Sequence, residues 1–260
     1  MRLYLYLERR TPLHQLNPTV KVLAMLGFFV AIFVTERPLL QLPLTLGVFG
    51  LIGWIGALAN VRRLRVLFVM VFVMTLLIWS LFYGQGEPLL ELGPIQVSAA
   101  ALEFALGMAM KLATFLAVGV LFLSITKIEE FAYALTRIGM PYKLGFTMTL
   151  AFRLVPVFVE AAFTVVQAQR SRGFNFDEGN LLQRMRRYVP VLVPVFMGAL
   201  RRADAMAMAL EARGFQSRRR RTSFEQYRFA AGDAVALALV LAVTAVFVSL
   251  WWSGYARVLV

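Results

Sequence analysis

The residues best suited to chemistry in this sequence are two arginines, each followed by glycine and phenylalanine. A small residue, an arginine and a glycine recur as Ser171, Arg172, Gly173 and as Ala212, Arg213, Gly214. A guanidinium can form two parallel hydrogen bonds to a carboxylate, and its flat faces tolerate apolar neighbours. These arginines are therefore suited to recognising acidic or carbonyl groups at a helix end, and not to breaking bonds.

Each of these motifs is also typical of the end of an α-helix. Glycine suits the left-handed position just past a helix, and the following apolar residue packs back on the last turn. We therefore predict Gly173 and Gly214 as the left-handed residues, Phe174 and Phe215 as the residues that pack back, and an arginine at each C-cap. A cation there also lies near the negative end of the helix dipole.

Composition removes most other chemistry. The chain has no cysteine and one histidine, His14, which excludes thiolate and histidine-rich metal sites. There is no phosphate-binding GxxxxGK[ST] loop, no HExxH and no nucleophile elbow. We therefore expect a non-catalytic protein that uses no cofactor and does not hydrolyse ATP itself.

Glu103 and Lys111 are two charged residues inside one apolar segment, eight positions apart. They lie on roughly the same helix face, two turns from each other. One interpretation is a polar seam or ion path through the membrane. The simpler interpretation, which we favour, is a packing-face pair that reaches toward water or a partner helix.

Small residues recur along the two segments that end at the arginines. We predict that they let two helices cross closely, with adaptable contact surface from Met206 and Met208. The small positions are Ala161, Val165 and Ala168 on the first segment and Ala205, Ala209 and Ala212 on the second.

The elements that must position these residues are membrane helices. The chain has 260 residues, of which 60% are hydrophobic, and a mean hydropathy of +0.72. The predicted fold class is an all-α integral membrane protein with about five transmembrane helices and a cytoplasmic domain of long crossed helices. The predicted spans are roughly 18–35, 39–59, 64–83, 99–123 and 234–252, each about long enough to cross a bilayer.

Basic residues set the predicted orientation. Basic loops alternate with loops that are not basic, which places the N-terminus in the cytoplasm. The region between the fourth and fifth spans, 127–228, holds 17 Lys and Arg against 8 Asp and Glu. The predicted domains are a membrane domain over 1–124, a cytoplasmic domain over 125–229 and a last span within 230–260. This distribution also accounts for the net charge of +13, so we expect membrane lipid and not nucleic acid as a partner.

Two further apolar stretches, 144–167 and 188–212, are predicted to lie along the cytoplasmic face. As spans they would leave a strongly basic connection outside the cell. The second would also bury several charges, at about 2.5–3.5 kcal/mol each at a helix centre. A shorter amphipathic helix precedes them: Thr126 and Glu129 have capping-box spacing, and Gly139 marks its end.

Four stretches of the chain resemble a known family. "TPLHQLNPTVK" (Thr11–Lys21), "EEFAYALTRIGMPYKLGFTMTLAFRLVP" (Glu129–Pro156) and the two arginine–glycine motifs are similar to the transmembrane T component of energy-coupling-factor (ECF) transporters. That family includes the T proteins of cobalt, nickel and biotin transporters. Ser171 departs from the family's Ala-Arg-Gly pattern, which is a change from one small residue to another.

The resemblance implies a non-catalytic scaffold in the plasma membrane. Two coupling helices would cross on the cytoplasmic face, and each end would dock in one of two ATP-binding-cassette ATPase subunits, with Arg172 and Arg213 as contacts. The membrane helices would hold a separate substrate-binding S component that releases a vitamin or a metal ion. The alternatives are a self-sufficient secondary transporter or channel, which needs inverted repeats, and a membrane enzyme, which needs a catalytic cluster.

Overall fold

The structure is a computed structural model, and it describes residues 5–9, 11–83, 88–92, 95–176, 178, 180–215 and 227–255. The described part is helical apart from one hairpin, which confirms the prediction of an all-α membrane protein. The helices are α1 (Pro12–Gln15), α2 (Pro18–Val34), α3 (Pro38–Ile55), α4 (Leu58–Arg63), α5 (Arg65–Phe82), α6 (Ala99–Ile125), α7 (Ile128–Ile138), α8 (Tyr142–Ser171), α9 (Leu181–Arg187), α10 (Val189–Ala212) and α11 (Ala231–Trp252).

Five described helices are long and apolar enough to cross a membrane: α3, α5, α6, α8 and α11. The number agrees with the prediction, but the set differs from it. Helix α2 is also apolar, but it has 17 residues, or about 26 Å at 1.5 Å per residue, and is just too short to be counted with these five. Helix α8 meets the same criterion, so its assignment to the cytoplasmic face depends on the charges around it and stays a prediction.

The chain divides into two compact units. The first comprises Met1–Met140 with Tyr227–Val260, and the second comprises Pro141–Gln226. The first unit therefore includes α7, although the sequence boundary at 124 assigns that helix to the cytoplasmic domain. Helix α7 belongs to the first unit because it packs against α2. The division of the chain by side of the membrane stays a prediction.

The core of the first unit lies where α2, α3 and α6 meet. Helix α6 packs against α2, α3 and α5, and α11 packs against α2. The buried apolar residues come from facing sides of these helices and from the turn after α3: Ala31, Ile32, Leu44, Val48, Ile52, Ile55, Ala57, Ala117, Val118, Leu121 and Ile125. The outward sides carry large exposed apolar residues, such as Val66 on α5 and Leu239 on α11. Such a surface suits contact with lipid or another membrane protein.

A short hairpin joins α5 and α6. Strands β1 (Pro88–Leu92) and β2 (Ile95–Ser98) pair antiparallel, with Leu92 opposite Ile95. The sequence did not predict it. Its second strand leads directly into α6, whose first turn is capped because the Ser98 hydroxyl accepts a hydrogen bond from Ala101 N at 3.0 Å.

The predicted cap of α7 is wrong in one respect. The N-cap residue is Lys127, and its side chain makes no capping hydrogen bond. Thr126 instead closes the preceding helix, since its N–H donates to Phe122 O at 3.0 Å, and its hydroxyl is buried without a partner. The predicted end of α7 is correct, because Gly139 is the C-cap residue with φ of +131°.

The second unit contains α8, α9 and α10. Helices α8 and α10 pack against each other. The less exposed residues of α10 are Val191, Val195, Ala199, Met206 and Leu210. Their spacing of four and seven places them on one face of the helix. The remaining surface of both helices is broadly exposed and rich in apolar residues.

Candidate functional site

The first arginine–glycine motif forms a Schellman helix end. Arg172 is the C-cap of α8, and Gly173 follows in the left-handed conformation with φ of +82°. Gly173 N donates to Arg170 O at 2.9 Å, and Phe174 N donates to Gln169 O at 3.0 Å. These two bonds satisfy carbonyls that would otherwise lack a partner at the helix end.

The second motif repeats this geometry at the end of α10. Arg213 is the C-cap, and Gly214 has φ of +68°. Gly214 N donates to Glu211 O at 2.9 Å, and Phe215 N donates to Leu210 O at 2.9 Å. The predicted roles of the glycines and C-cap arginines are therefore confirmed at both sites.

Aromatic side chains brace each helix end. Beyond the first end, the ring of Phe176 lies 4.9 Å from Phe174 and 5.1 Å from Tyr188. At the second end, the ring of Phe215 lies 4.6 Å from Phe146 and 6.2 Å from Tyr142, both on α8. Because aromatic pairs add stability beyond the area they bury, each arginine projects from a fixed end.

The loop after the first end is tied by one ion pair. The Arg187 guanidinium donates to Asn175 O at 2.6 Å and to Glu178 Oε2 at 3.1 Å. Asn175 Nδ2 also donates to Glu178 Oε1 at 2.9 Å. The hydrogen bonds from Arg187 and Asn175 lower the pKa of Glu178 below its ordinary value, so its carboxylate is charged at neutral pH.

Both C-cap arginines are exposed. Among the described residues, none accepts a hydrogen bond from the guanidinium of Arg172 or of Arg213, although nearby Arg187 is paired. Two charged groups are thus held at ordered helix ends with no acceptor in the part of the chain that the structure describes. That arrangement suits binding to an external acidic or carbonyl group. The later arginine run, Arg218–Arg221, lies outside the described residues.

The small residues predicted to lie between α8 and α10 are largely exposed. Ala161, Ala168, Ala205 and Ala209 are exposed, and Val165 is half-buried. Within this chain the covered face of α10 instead consists of Val191, Val195, Ala199, Met206 and Leu210. A packing role for the small residues stays a prediction.

A buried network that the sequence did not predict gathers several helix ends. Lys21 is 3% exposed. Its ammonium donates to His14 O at 2.8 Å, to Ile125 O at 3.0 Å and to Glu130 Oε2 at 2.8 Å. All three N–H donors have an acceptor. The sequence did carry one signal for this network: Lys21 is a charged residue inside an apolar segment, and such a residue is expected to have a partner.

A second buried carboxylate links α2 to α11. Asp233 Oδ1 accepts a hydrogen bond from Asn17 N at 2.7 Å, and Oδ2 accepts one from Ala230 N at 2.8 Å. Asn17 Nδ2 donates to Tyr227 O at 3.2 Å, and Asn17 Oδ1 caps α2 at Thr19 N. The starts of α2 and α11 therefore lie side by side.

The N-terminal segment 5–9 lies along the ends of α3, α4 and α6. Three hydrogen bonds hold it: Asn60 Nδ2 to Leu5 O at 2.6 Å, Leu7 N to Ser124 O at 3.0 Å, and Arg9 Nη1 to Ile55 O at 3.1 Å.

The starts of α2 and α11 thus share one side of the first unit with the ends of α3 and α6. A chain that crosses a membrane repeatedly reverses its direction at each crossing, so odd-numbered crossings begin on the side where even-numbered crossings end. The observed arrangement fits this pattern when α2, α3, α5, α6 and α11 are taken, in that order, as the crossing helices.

A protein-family profile described as cobalt transport protein, CbiQ, matches residues 9–224. The chain is 32% identical over 254 residues to the energy-coupling factor transporter transmembrane protein EcfT of Bacillus selenitireducens, covering 91% of each chain. It is 30% identical to EcfT of Thermosediminibacter oceani, over 89% of this chain and 90% of that protein. It is also 30% identical to EcfT of Streptococcus equi subsp. equi, over 91% of each.

The chain belongs to the CbiQ/EcfT family. It is thus a multi-pass membrane protein and a transmembrane T component of the energy-coupling-factor transporters. The matched region contains both arginine–glycine ends and the buried Lys21 network.

Glu103 and Lys111, the two charged residues predicted to lie on one face of the same apolar segment, do not form one site. Lys111 is buried, with its ammonium 5.4 Å from the ring centre of Phe33, whereas Glu103 is exposed. They do not form a pair. Over the described residues, no group of three His, Asp or Glu side chains could hold a metal ion.

A cavity of about 250 Å³ in the first unit is apolar, and Lys21 is the one charged residue among its described lining. The Lys21 ammonium already has three acceptors, so no free polar group there would orient a small molecule.

Proposed function

We propose that this T component couples ATP hydrolysis by two partner ATP-binding-cassette ATPases to substrate release from a separate S component. The substrate class is a vitamin or a transition-metal ion. The chain itself is a non-catalytic scaffold. The observation that carries the proposal is the pair of exposed arginines, Arg172 and Arg213, each held at a capped and braced helix end without an acceptor in the described chain.

The geometry of the helix ends supports docking into a groove of another protein. A glycine in the left-handed conformation has no side chain to obstruct an approaching surface, and a Cβ added at Gly173 would meet nothing within 4 Å. A guanidinium pairs well with carboxylate or carbonyl groups even where the walls are apolar. Two similar ends, on α8 and α10, suit two ATPase subunits.

The S component and lipid are the proposed partners for the apolar surface. Helix α8 carries large exposed residues such as Phe152 and Phe163, and α10 carries Leu192 and Phe196. Apolar surface of this extent favours a membrane or protein partner. The small exposed residues Ala161, Ala168, Ala205 and Ala209 would let such a partner helix approach closely.

The proposed location is the plasma membrane, with the N-terminus in the cytoplasm. The side of the first unit that holds segment 5–9 also holds Arg9 and the basic residues at the end of α4, Arg62 and Arg63. Basic residues favour the cytoplasmic side of a membrane. Cytoplasmic ATPases are the proposed partners of the ends of α8 and α10.

The test is a paired comparison of double variants. Arg172→Ala with Arg213→Ala should abolish co-purification of the ATPases while the protein still inserts in the membrane. The matched control is Arg153→Ala with Arg202→Ala, which removes the same charge from exposed positions on the same two helices. If the first variant retains its ATPases as well as the control does, the arginines act only as helix caps and the proposal is wrong.

A further inference from the structure

The Lys21–Glu130 ion pair joins helices that are far apart in the sequence. The two residues are 109 positions apart, and their side chains are 1% and 13% exposed. Lys21 lies in the first turn of α2, and Glu130 lies in the first turn of α7. The pair therefore fixes α7 to the membrane helices at one defined place.

The surroundings of this pair favour both charges. The ammonium also contacts Ile125 O at the C-terminal end of α6, where the helix dipole favours a cation. Glu130 lies at the N-terminal end of α7, where the dipole favours an anion. A buried ammonium with three acceptors leaves few alternative positions for the groups around it, so the network specifies geometry as well as contributing stability.

Apart from this pair, α7 has an apolar contact with the rest of the first unit. Phe131 lies 5.6 Å from Phe122 between ring centres, and Ala132 and Ala134 are buried. Apolar contacts of this kind tolerate sliding better than a directional ion pair does. Helix α8 follows α7 in the chain after only Gly139, Met140 and Pro141, so the position of α7 restricts where α8 can begin.

We propose that Lys21 and Glu130 are positioning residues that make α7 a rigid part of the membrane unit. Movement imposed on α8 by the ATPases is then passed to α2 and is not absorbed by α7. This inference rests on the proposed function. Loss of the pair leaves ATPase binding intact, since Arg172 and Arg213 supply the proposed docking contacts, but it frees α7 to move relative to the membrane helices.

The test measures the distance between α7 and α11 in the full complex with its ATPases, in lipid nanodiscs. The chain has no cysteine, so spin labels can be attached at Ile138→Cys and Leu239→Cys, both exposed positions of the first unit. Distances are recorded by pulsed electron paramagnetic resonance without nucleotide and with MgATP. ATP hydrolysis is measured on the same samples.

The labelled parent and the matched control Glu129→Ala, which removes an exposed carboxylate from the same turn, should give one narrow distance that MgATP does not change. Glu130→Ala should widen the distribution at least about twofold and make its mean respond to MgATP, with hydrolysis within about twofold of the control. Lys21→Met should widen it similarly. If Glu130→Ala does not insert, Glu130→Gln keeps the volume and should give a smaller widening.

A narrow distribution in the Glu130 variants, equal to that of Glu129→Ala, would overturn the inference. A pair that contributed only stability would lower the yield of folded protein but leave that distribution narrow. Failure of the proposed function would be distinct, because then no ATPase would accompany the parent chain, while the nucleotide-free comparison would still test the ion pair.

Discussion

Replacing Asp233 by alanine should loosen the last membrane helix from the rest of the first unit. Asp233 is 3% exposed, and its two carboxylate oxygens each accept one backbone N–H. One donor is Ala230, at the start of the same helix, and the other is Asn17, which is 216 positions away at the start of α2. One side chain therefore caps α11 and attaches it to α2.

The magnitude follows from these two bonds. Loss of the hydrogen bond that the exposed Ala230 N–H donates to Asp233, the third residue of α11, costs about 1 kcal/mol, and loss of a less accessible hydrogen bond to a charged group costs about 1.5–3 kcal/mol. Ala230 is exposed, so water can replace its partner, whereas Asn17 N is less accessible. We therefore expect Asp233→Ala to destabilise the folded protein by about 3 kcal/mol, and so to lower the melting temperature by about 6–12 °C for a chain of this size.

The assay is thermal unfolding of the purified protein in detergent. The control is Ser249→Ala on the same helix, whose exposed hydroxyl donates only to Val246 O of its own turn at 2.8 Å. That control should melt within about 2 °C of the parent. An Asp233→Ala protein that melts as high as the Ser249→Ala protein would refute the role given to this carboxylate.

Three further predictions concern pH, topology and nucleotide. Burial, followed by the charge of Lys21, lowers the pKa of His14, so the folded state should lose stability as the pH falls below about 6.5; thermal melting should show this loss, and His14→Phe should remove it. Single cysteines at Glu91 and Tyr255 should react with an impermeant maleimide on intact cells, whereas those at Arg63 and Asn180 should not; labelling at 180 would place α8 and α10 across the membrane. The isolated chain has no phosphate-binding loop and should bind no ATP in equilibrium dialysis. Specific binding at micromolar concentrations would contradict this prediction.

Local patterns in the sequence predicted the helix ends well. The arginine–glycine–phenylalanine ends depend on residues within about five positions of one another, and glycine at a left-handed position is a strong signal. The apolar segments likewise predicted α2, α3, α5, α6 and α11, because a span needs only a continuous apolar run. The family followed from motifs spread over most of the chain.

Features that depend on tertiary contact were not predictable in the same way. The partners of Lys21 and Asp233 lie 109 and 216 positions away, and no local pattern links them. The Thr126 cap failed because α6 continues to Ile125, which makes Thr126 the end of one helix and not the start of the next. Within the described chain the half-buried face of α10 includes Met206 and Leu210, and the close helix contact predicted from the small residues stays a prediction.

The most direct measurement of the central claim is the affinity of the ATPases for chains altered at Arg213. Removing one partner of a buried charged hydrogen bond costs about 2–5 kcal/mol, or about 30- to 4,000-fold in dissociation constant, whereas losing a cation at a helix end costs about 1 kcal/mol at most. Arg213→Ala should therefore weaken binding at least 30-fold, Arg213→Lys less and Arg213→Glu more, while Arg202→Ala on the same helix leaves it unchanged. An Arg213→Ala chain that binds the ATPases within about threefold of the parent would contradict the claim.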